Sequence, residues 1–241
     1  MNGLLPQLEG RHVRLEPLQA GHAAGLAAAS AEDPSLYGLS PVPQGEAAAL
    51  QYIAAAAAQR DEGVAVPFAV RRVGPDGALI GSTRFWDLVR WPWPPGHPRY
   101  GLDAPDVCEI GYTWLARSAI RTAANTEMKR LMLAHAFEVW AVESVCLHTD
   151  ARNERSRRAM ERIGARFEGI LRAHRLGTDC LPRDSARFSI TAPEWPGVRR
   201  RLDEMLAARD EATREEAARE EAAREEAARE EAAREEVAAR P

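Results

Sequence analysis

The 241 residues are enough to bury one sizeable core, and their composition is that of a globular protein with a charged appendage. The formal net charge is −4, but residues 210–241 carry eleven Glu and one Asp against six Arg, which leaves the preceding chain at +2. A body this close to neutral, without a Lys/Arg-rich run, argues against a nucleic-acid-binding face.

The spacing of the cysteines and the length of the apolar runs indicate which metal sites and which cellular location to expect. Cys108, Cys146 and Cys180 show no C-x-x-C spacing, which argues against a zinc site or a redox pair and fits a reducing compartment. The N-terminus lacks a basic segment followed by a long apolar run, and no stretch of eighteen apolar residues occurs. We therefore expect a cytoplasmic protein that uses no metal and no membrane.

In chain order, the first half predicts a strand, two helices and a hairpin. Period-two runs of β-forming residues flank the turn GPDG, and Ala-rich stretches precede them. The expected elements are a strand over 8–18, helices over 20–31 and 44–61, and hairpin strands over 67–73 and 78–89.

Two proline-rich loops in this half carry aromatic residues. Loop 33–43 contains Tyr37, and loop 90–106 contains Trp91, Trp93 and five prolines. Aromatic side chains on a stiff loop can form the wall of a ligand site. The alternatives are a connector whose tyrosine fills the core and a surface loop whose tryptophans pack onto the hairpin.

The stretch from Glu109 to Glu138 predicts a strand, a short loop and a long helix. Apolar residues follow period two around Ile110 and helical spacing around Leu131. The loop over 117–125 contains small residues, so a ligand can approach the backbone, and the helix start offers unpaired N–H groups. Such a junction suits an anionic pyrophosphate, although any β–α unit shares this outline.

The remaining chain predicts a strand over 145–149, a helix over 154–165, and strands over 166–177 and 183–195. Intermixed strands and helices predict a mixed sheet covered by helices. From Glu211 the EEAAR repeat distributes charge around every side of a helix, which disfavours a coiled coil. We interpret this tail as a solvated spacer, with a partner-binding helix as the alternative. Pairs such as Glu220 with Arg224 and Glu225 with Arg229 stabilise it modestly.

Four pieces of sequence carry a family resemblance by their order and spacing across most of residues 8–195. They are LEGRHVRLEPL, EIGYTWL followed by NTEMKRLMLAHAFE, HTDARNERSRRAMERIGARFEGILR, and RDSARFSITAPEW. With them the chain resembles the GNAT superfamily of N-acetyltransferases, in particular the branch similar to RimJ and RimL. The resemblance implies an α/β (α+β) domain over 1–196, with a mixed, mostly antiparallel sheet flanked by helices, and a helical tail over 197–241.

The resemblance also implies a reaction and its residues. The acetyl group of acetyl-CoA passes to a primary amine by direct attack in a ternary complex, with Glu109 taking the amine proton through water and Ser156 protonating the departing thiolate. The expected acceptor residues are Tyr37, Trp86, Trp91 and Trp93. The expected acetyl-CoA contacts, with the amides of Ala123 to Asn125 foremost, are Trp114, Leu115, Arg117, Arg121, Thr122, Ala123, Ala124, Asn125, Thr126, Asn153 and Arg157.

Several alternatives stay open. Glu109 can be a structural strand-edge carboxylate, Asn153 and Ser156 can be helix caps, and Glu127 can simply start its helix. Arg121 stands where the family has glycine, so it either turns outward toward a CoA phosphate or weakens cofactor binding. The latter keeps a second hypothesis open, a catalytically weak acyl-CoA-binding or interaction module. The acceptor, a protein N-terminus or a small molecule, is also open, and an exposed strand edge could pair two copies into a homodimer.

Overall fold

The computed structural model describes residues 6–238. The strands are β1 (Leu8–Glu9), β2 (Val13–Pro17), β3 (Ala65–Arg72), β4 (Leu79–Val89), β5 (Val107–Leu115), β6 (Ser144–Asp150), β7 (Arg166–Leu176) and β8 (Pro182–Thr191). The helices are α1 (Ala23–Ala31), α2 (Glu46–Asp61), α3 (Ala124–Ala134), α4 (Glu154–Arg162) and α5 (Trp195–Ala238).

The strands form one eight-stranded sheet in the order β1-β2-β3-β4-β5-β6-β8-β7. Among the described strands, neighbours are antiparallel except for β5 and β6, which run parallel. This arrangement confirms the predicted mixed, mostly antiparallel sheet with helices. The parallel pair requires a crossover connection, and α3 supplies it.

The parallel pair separates soon after it begins. The two strands pair only at Val107 with Ser144, Cys108 with Val145 and Glu109 with Cys146, although β5 continues to Leu115 and β6 to Asp150. Beyond Glu109 the backbone groups on the facing strand edges therefore have no ladder partner across the gap. The fold leaves an open seam in the middle of the sheet.

A β-bulge bends β5 at the seam. The pairing of β4 with β5 shifts between Ser82 and Arg84, and one extra residue of β5 is accommodated there. Tyr112 takes φ 52° at this point, in the left-handed region that non-glycine residues rarely adopt. The simple alternation predicted for Ile110, Tyr112 and Trp114 is therefore broken.

The start of α3 is tied to the N-terminal strands by Glu127. Its carboxylate accepts backbone N–H groups of Arg11, His12 and Val13 at 2.8, 2.7 and 2.8 Å. A Cβ at Gly10 would lie 2.4 Å from the Glu127 carboxyl carbon, so only glycine fits there without displacing the carboxylate. Glu127 lies in the first turn, as expected, but its main role is this connection to the strand β2.

The chain divides into two compact units after Leu202. Trp195, Val198 and Leu202 are buried in the core of the first unit, so that unit extends past the predicted boundary at 196. The second unit is helical as predicted, and its described side chains from Glu211 onward are exposed. Glu220 and Arg224 form the expected pair at 3.7 Å, whereas Glu225 and Arg229 lie outside the described side chains.

Candidate active site

Glu109 occupies the last paired position before β5 and β6 separate. Its side chain is 3% exposed, and Oε2 lies 2.9 Å from Nδ1 of His148 and 2.7 Å from Nη2 of Arg175. Burial acts to raise the pKa of Glu109, but the hydrogen bond from His148 and the charge of Arg175 outweigh it and hold that pKa below its ordinary value. Glu109 is therefore an anion at neutral pH.

His148 lies on β6 just beyond the last pair with β5. Because the ionised carboxylate of Glu109 has no hydrogen to donate, Nδ1 of His148 carries the hydrogen of their bond. The imidazole is 6% exposed, and its other nitrogen, Nε2, is buried without a hydrogen-bond partner in the described part of the chain. The ring of His174 lies next to it, with centroids 5.1 Å apart. His148, His174 and Arg175 were not among the predicted site residues.

Trp86 on the neighbouring strand β4 and Tyr112 on β5 bring aromatic side chains close to Glu109. Trp86 is paired with Glu109 across β4 and β5, and its ring meets Tyr112 edge-on at 5.5 Å. The guanidinium of Arg84, which is 2% exposed, lies 4.0 Å from the Tyr112 ring centroid and donates to Oε1 of Gln59. The structure thus places the predicted acceptor residue Trp86 next to the predicted catalytic carboxylate.

Tyr37 does not line an open site. It is 7% exposed, packs edge-on against Trp114 at 5.8 Å and donates a hydrogen bond to the Leu115 carbonyl at 3.0 Å. The alternative, a tyrosine that fills the core, is the one this geometry supports. Its partners Trp114 and Leu115, predicted to bind the cofactor, are held by the same contacts.

The tryptophans of loop 90–106 are organised around Asp106. Asp106 accepts the Trp91 backbone N–H at 2.6 Å and the Trp93 indole N–H at 2.8 Å. Trp93 stacks on His97 with centroids 4.0 Å apart. The predicted surface loop therefore has a fixed internal structure, and Trp91 remains 42% exposed.

The loop before α3 takes a glycine-like backbone conformation at Arg121, the residue that stands where the family has glycine. Arg121 takes φ 63°, a backbone conformation that glycine adopts without strain. Its side chain and that of Arg117 are exposed, so both face outward. Thr122 Oγ1 donates to the Ala119 carbonyl and accepts the Ala124 N–H at 3.2 Å. The Ala124 amide, predicted to face the cofactor, is thus already engaged within the chain.

The start of α4 confirms one of the open alternatives. Oδ1 of Asn153 accepts the backbone N–H of Ser156 at 3.1 Å, so Asn153 is the N-cap of this helix. Arg157 donates to the Ala151 carbonyl at 3.3 Å. Thr126, on α3, accepts a hydrogen bond from Arg162 at 3.2 Å and is buried. The start of α3 is therefore held to the end of α4.

These surroundings fit acetyl-CoA. The exposed Arg117 and Arg121 precede a helix start, which is a favourable environment for phosphate groups. The unpaired edges of β5 and β6 offer N–H and C=O groups to an extended arm that contains amides. Within residues 6–238 no cluster of His, Cys, Asp and Glu could hold a metal ion, and none of the helices in that range has an apolar stretch that could span a bilayer.

Comparison with known proteins agrees with this geometry. The model of the acetyltransferase (GNAT) domain matches residues 12–166, while none of the curated proteins compared with the chain matches it. A GCN5-related N-acetyltransferase from Brucella melitensis is similar, with 29% identity, a TM-score of 0.69, and coverage of 84% of this chain and 86% of its own. A protein from T. thermophilus that is described as an acetyltransferase has 33% identity, a TM-score of 0.66, and coverage of 83% and 96%.

RimJ of Mycobacterium smegmatis, in complex with CoA-disulfide, shares the fold at 22% identity, with a TM-score of 0.65 and coverage of 85% of this chain and 94% of its own. Since the family model spans more than half of the sequence, the chain belongs to the GNAT acetyltransferase family. It is an acetyl-CoA-dependent acyltransferase, and enzymes of this family act on an amine acceptor.

Proposed function

We propose that the protein is an N-acetyltransferase that transfers the acetyl group of acetyl-CoA to a primary amine, on a protein N-terminus or a small molecule, by direct attack in a ternary complex. The observation that carries this proposal is the seam between β5 and β6, with the ionised, buried Glu109 at its closed end. A thioester lying in the seam would meet an amine beside a buried carboxylate that two donors hold in place.

Binding at the seam uses backbone more than side chains. The edges of β5 and β6 beyond Glu109 can hydrogen-bond the amides of the pantetheine arm, as a peptide does when it adds to a sheet edge. Arg117 and Arg121 are exposed at the start of α3 and complement the phosphates. Arg157 near the start of α4 supplies a further positive charge.

The chemistry requires a free amine and a protonated leaving group. The Glu109–His148 pair provides a fixed negative charge and a basic nitrogen at the place where the amine must lose a proton. The amine nitrogen then bonds to the carbonyl carbon, the C–S bond breaks, and the thiolate takes a proton, for which Ser156 is the proposed donor. Trp86 and Tyr112 form an aromatic wall beside the acceptor amine.

The finer assignment to the RimJ/RimL-like branch, a cytoplasmic location and a homodimer belong to the same proposal. The motif order supports the branch. For the dimer, β7 is an edge strand of the sheet, and Phe167, Ile170 and Leu176 on it are 49%, 43% and 68% exposed. An edge with this apolar surface suits pairing with a second copy, and sedimentation of the wild type against Phe167→Lys tests it.

The second candidate function is a catalytically weak acyl-CoA-binding module. The left-handed backbone of Arg121 favours it, because a side chain now stands where the family places a glycine against the cofactor. A binding module would bind acetyl-CoA without increasing its rate of cleavage in the presence of any amine.

Initial-rate measurements separate the two. Free thiol release from acetyl-CoA is followed with a panel that contains peptides with free N-termini, amino acids and polyamines. We expect at least one class to accelerate thiol release, with intersecting double-reciprocal lines that indicate a ternary complex. Parallel lines would indicate an acetyl-enzyme intermediate and would overturn direct attack, and the absence of turnover in the presence of tight acetyl-CoA binding would establish the binding module.

A further inference from the structure

Two groups at the closed end of the seam, the Glu109 carboxylate and the His148 imidazole, could take the amine proton. We propose that Nε2 of His148 is the base that takes this proton, and that Glu109 is a positioning residue that fixes the tautomer and orientation of the imidazole. The inference rests on the proposed function, since it names the group that acts in the acetyl transfer described above.

The two groups differ in the hydrogen-bond partners that they already have. Oε2 of Glu109 lies within hydrogen-bond distance of two donors, His148 Nδ1 at 2.9 Å and Arg175 Nη2 at 2.7 Å. A carboxylate engaged in this way, and with its pKa held low, is a weak base. Oε1 also has a donor, because Nη1 of Arg175 lies 3.5 Å from it.

His148, in contrast, has one nitrogen with a hydrogen-bond partner and one without. Its Nδ1 donates to Glu109, so the tautomer is fixed with the lone pair on Nε2. Nε2 is buried and has no partner among the described residues, although buried nitrogens of this kind are normally hydrogen-bonded. A basic nitrogen that is kept unpaired beside the open seam is available to a substrate proton.

Several charged and titratable groups surround His148. They are Glu109 on β5, Cys146 on its own strand, Arg187 opposite it on β8, and His174, Arg175 and Arg183 on β7 and β8. Of these, Glu109 hydrogen-bonds the imidazole directly.

The step balances as follows. His148 Nε2 removes one proton from the acceptor ammonium and leaves the free amine. The nitrogen lone pair forms the N–C bond as the C–S bond breaks, and the second proton leaves nitrogen while the thiolate sulfur acquires one. The products are the amide, free CoA and one proton that His148 returns to solvent.

Three variants in the full-length protein test the assignment. His148→Asn keeps a donor near Glu109 but has no nitrogen at the Nε2 position, and Glu109→Gln removes the charge and keeps the imidazole. His22→Asn is the matched control, because His22 is a buried histidine that contacts a carboxylate, Glu16, outside the site. The pH dependence of kcat is measured for each with the same acceptor, so that the ionisation of the acceptor cancels.

We expect His148→Asn to lower kcat by about 10²-fold or more and to abolish the acidic limb of its pH profile. Glu109→Gln should lose less, about 10-fold, and its acidic limb should move to lower pH, because the imidazolium loses its carboxylate partner. His22→Asn should stay within a few-fold of the wild type.

The opposite pattern overturns the assignment. If Glu109→Gln loses the limb and the larger part of kcat while His148→Asn retains both, the carboxylate itself is the base. An equal loss of kcat in His22→Asn would show that removing any buried histidine lowers activity, and would also overturn the assignment. Acetyl-CoA titration of each variant shows whether it still binds, and turnover by the wild type shows whether the proposed function holds, so the two failures are distinguishable.

Discussion

At the scale of single residues, Arg121 combines a backbone strain with a charge that the cofactor can use. A non-glycine residue in the left-handed region costs about 1–2 kcal/mol. Glycine avoids this cost, but its greater backbone freedom stabilises the unfolded chain by about 0.5–1 kcal/mol. We therefore expect Arg121→Gly to be more stable than Arg121→Ala by roughly 1 kcal/mol in urea unfolding. If Arg121 contacts a CoA phosphate, both variants lose CoA affinity equally, and unequal losses would show that the backbone is responsible.

Lys129 provides a second test at this scale. Its ammonium is buried and donates to Thr113 Oγ1 at 2.9 Å, and burial lowers the pKa of Lys129 from 10.5 to about 7, against the opposing effect of Glu109. The unfolded chain then binds this proton more tightly than the folded one, so stability increases as pH rises from about 7 toward 10.

Lys129→Met should remove that increase. We expect the free energy of unfolding of the wild type to gain on the order of 2 kcal/mol relative to the variant between pH 7 and 9. Urea unfolding at both pH values measures the difference. Parallel pH dependences in the two proteins would mean that the lysine stays protonated in the folded state.

The sequence could indicate some of the site residues but not others. Glu109 could be predicted because it is the first residue of the EIGYTWL motif, at the start of an apolar strand. His148 could also be noticed in the sequence, because Val145 and Leu147 alternate along the strand and His148 lies on the opposite face from them. Arg175 comes from β7, which β8 separates from β6, and no local pattern predicts that a strand so distant in sequence brings a charge to Glu109.

At the scale of elements, the connection between α3 and the N-terminal turn should be the most sensitive to substitution. Glu127→Gln leaves one carbonyl oxygen and an NH₂ group facing the N–H groups of residues 11–13, and we expect a loss of about 2 kcal/mol or more. Glu46, the exposed acidic residue in the first turn of α2, is the matched control. Glu46→Gln should cost no more than about 0.5 kcal/mol.

Urea unfolding compares these two variants. Similar small losses would mean that Glu127 acts only on the helix dipole. Gly10→Ala should reproduce much of the Glu127→Gln effect, because its methyl group would displace the carboxylate from its three donors.

Most elements were predictable because their patterns are local. The hairpin β3–β4 and the strand β6 follow alternation and turn chemistry, and α3 follows helical spacing. The seam and the bulge at Tyr112 were not, since both depend on how β4, β5 and β6 pair rather than on any one strand. The proposed site lies at these two features.

At the scale of the whole molecule, we expect the body to fold and react independently of the tail. The side chains described from Glu211 onward are exposed, so removing residues 210–241 should leave the urea midpoint and the acetyl-CoA turnover of the body unchanged within error. A truncated protein that unfolds at lower urea, or that turns over more slowly, would show that the tail takes part in the body's stability or reaction.

The central claim, that the seam and the start of α3 form the acetyl-CoA site of an acyltransferase, is tested most directly by calorimetric titration of acetyl-CoA into the full-length protein. The variant carrying both Arg117→Glu and Arg121→Glu changes exposed side chains only, and the variant carrying both Arg200→Glu and Arg209→Glu on α5 is a control of the same charge change. We expect micromolar binding to the wild type and the control, and binding at least 10-fold weaker to the double variant. Equal binding to all three, or no binding to the wild type, would contradict the account.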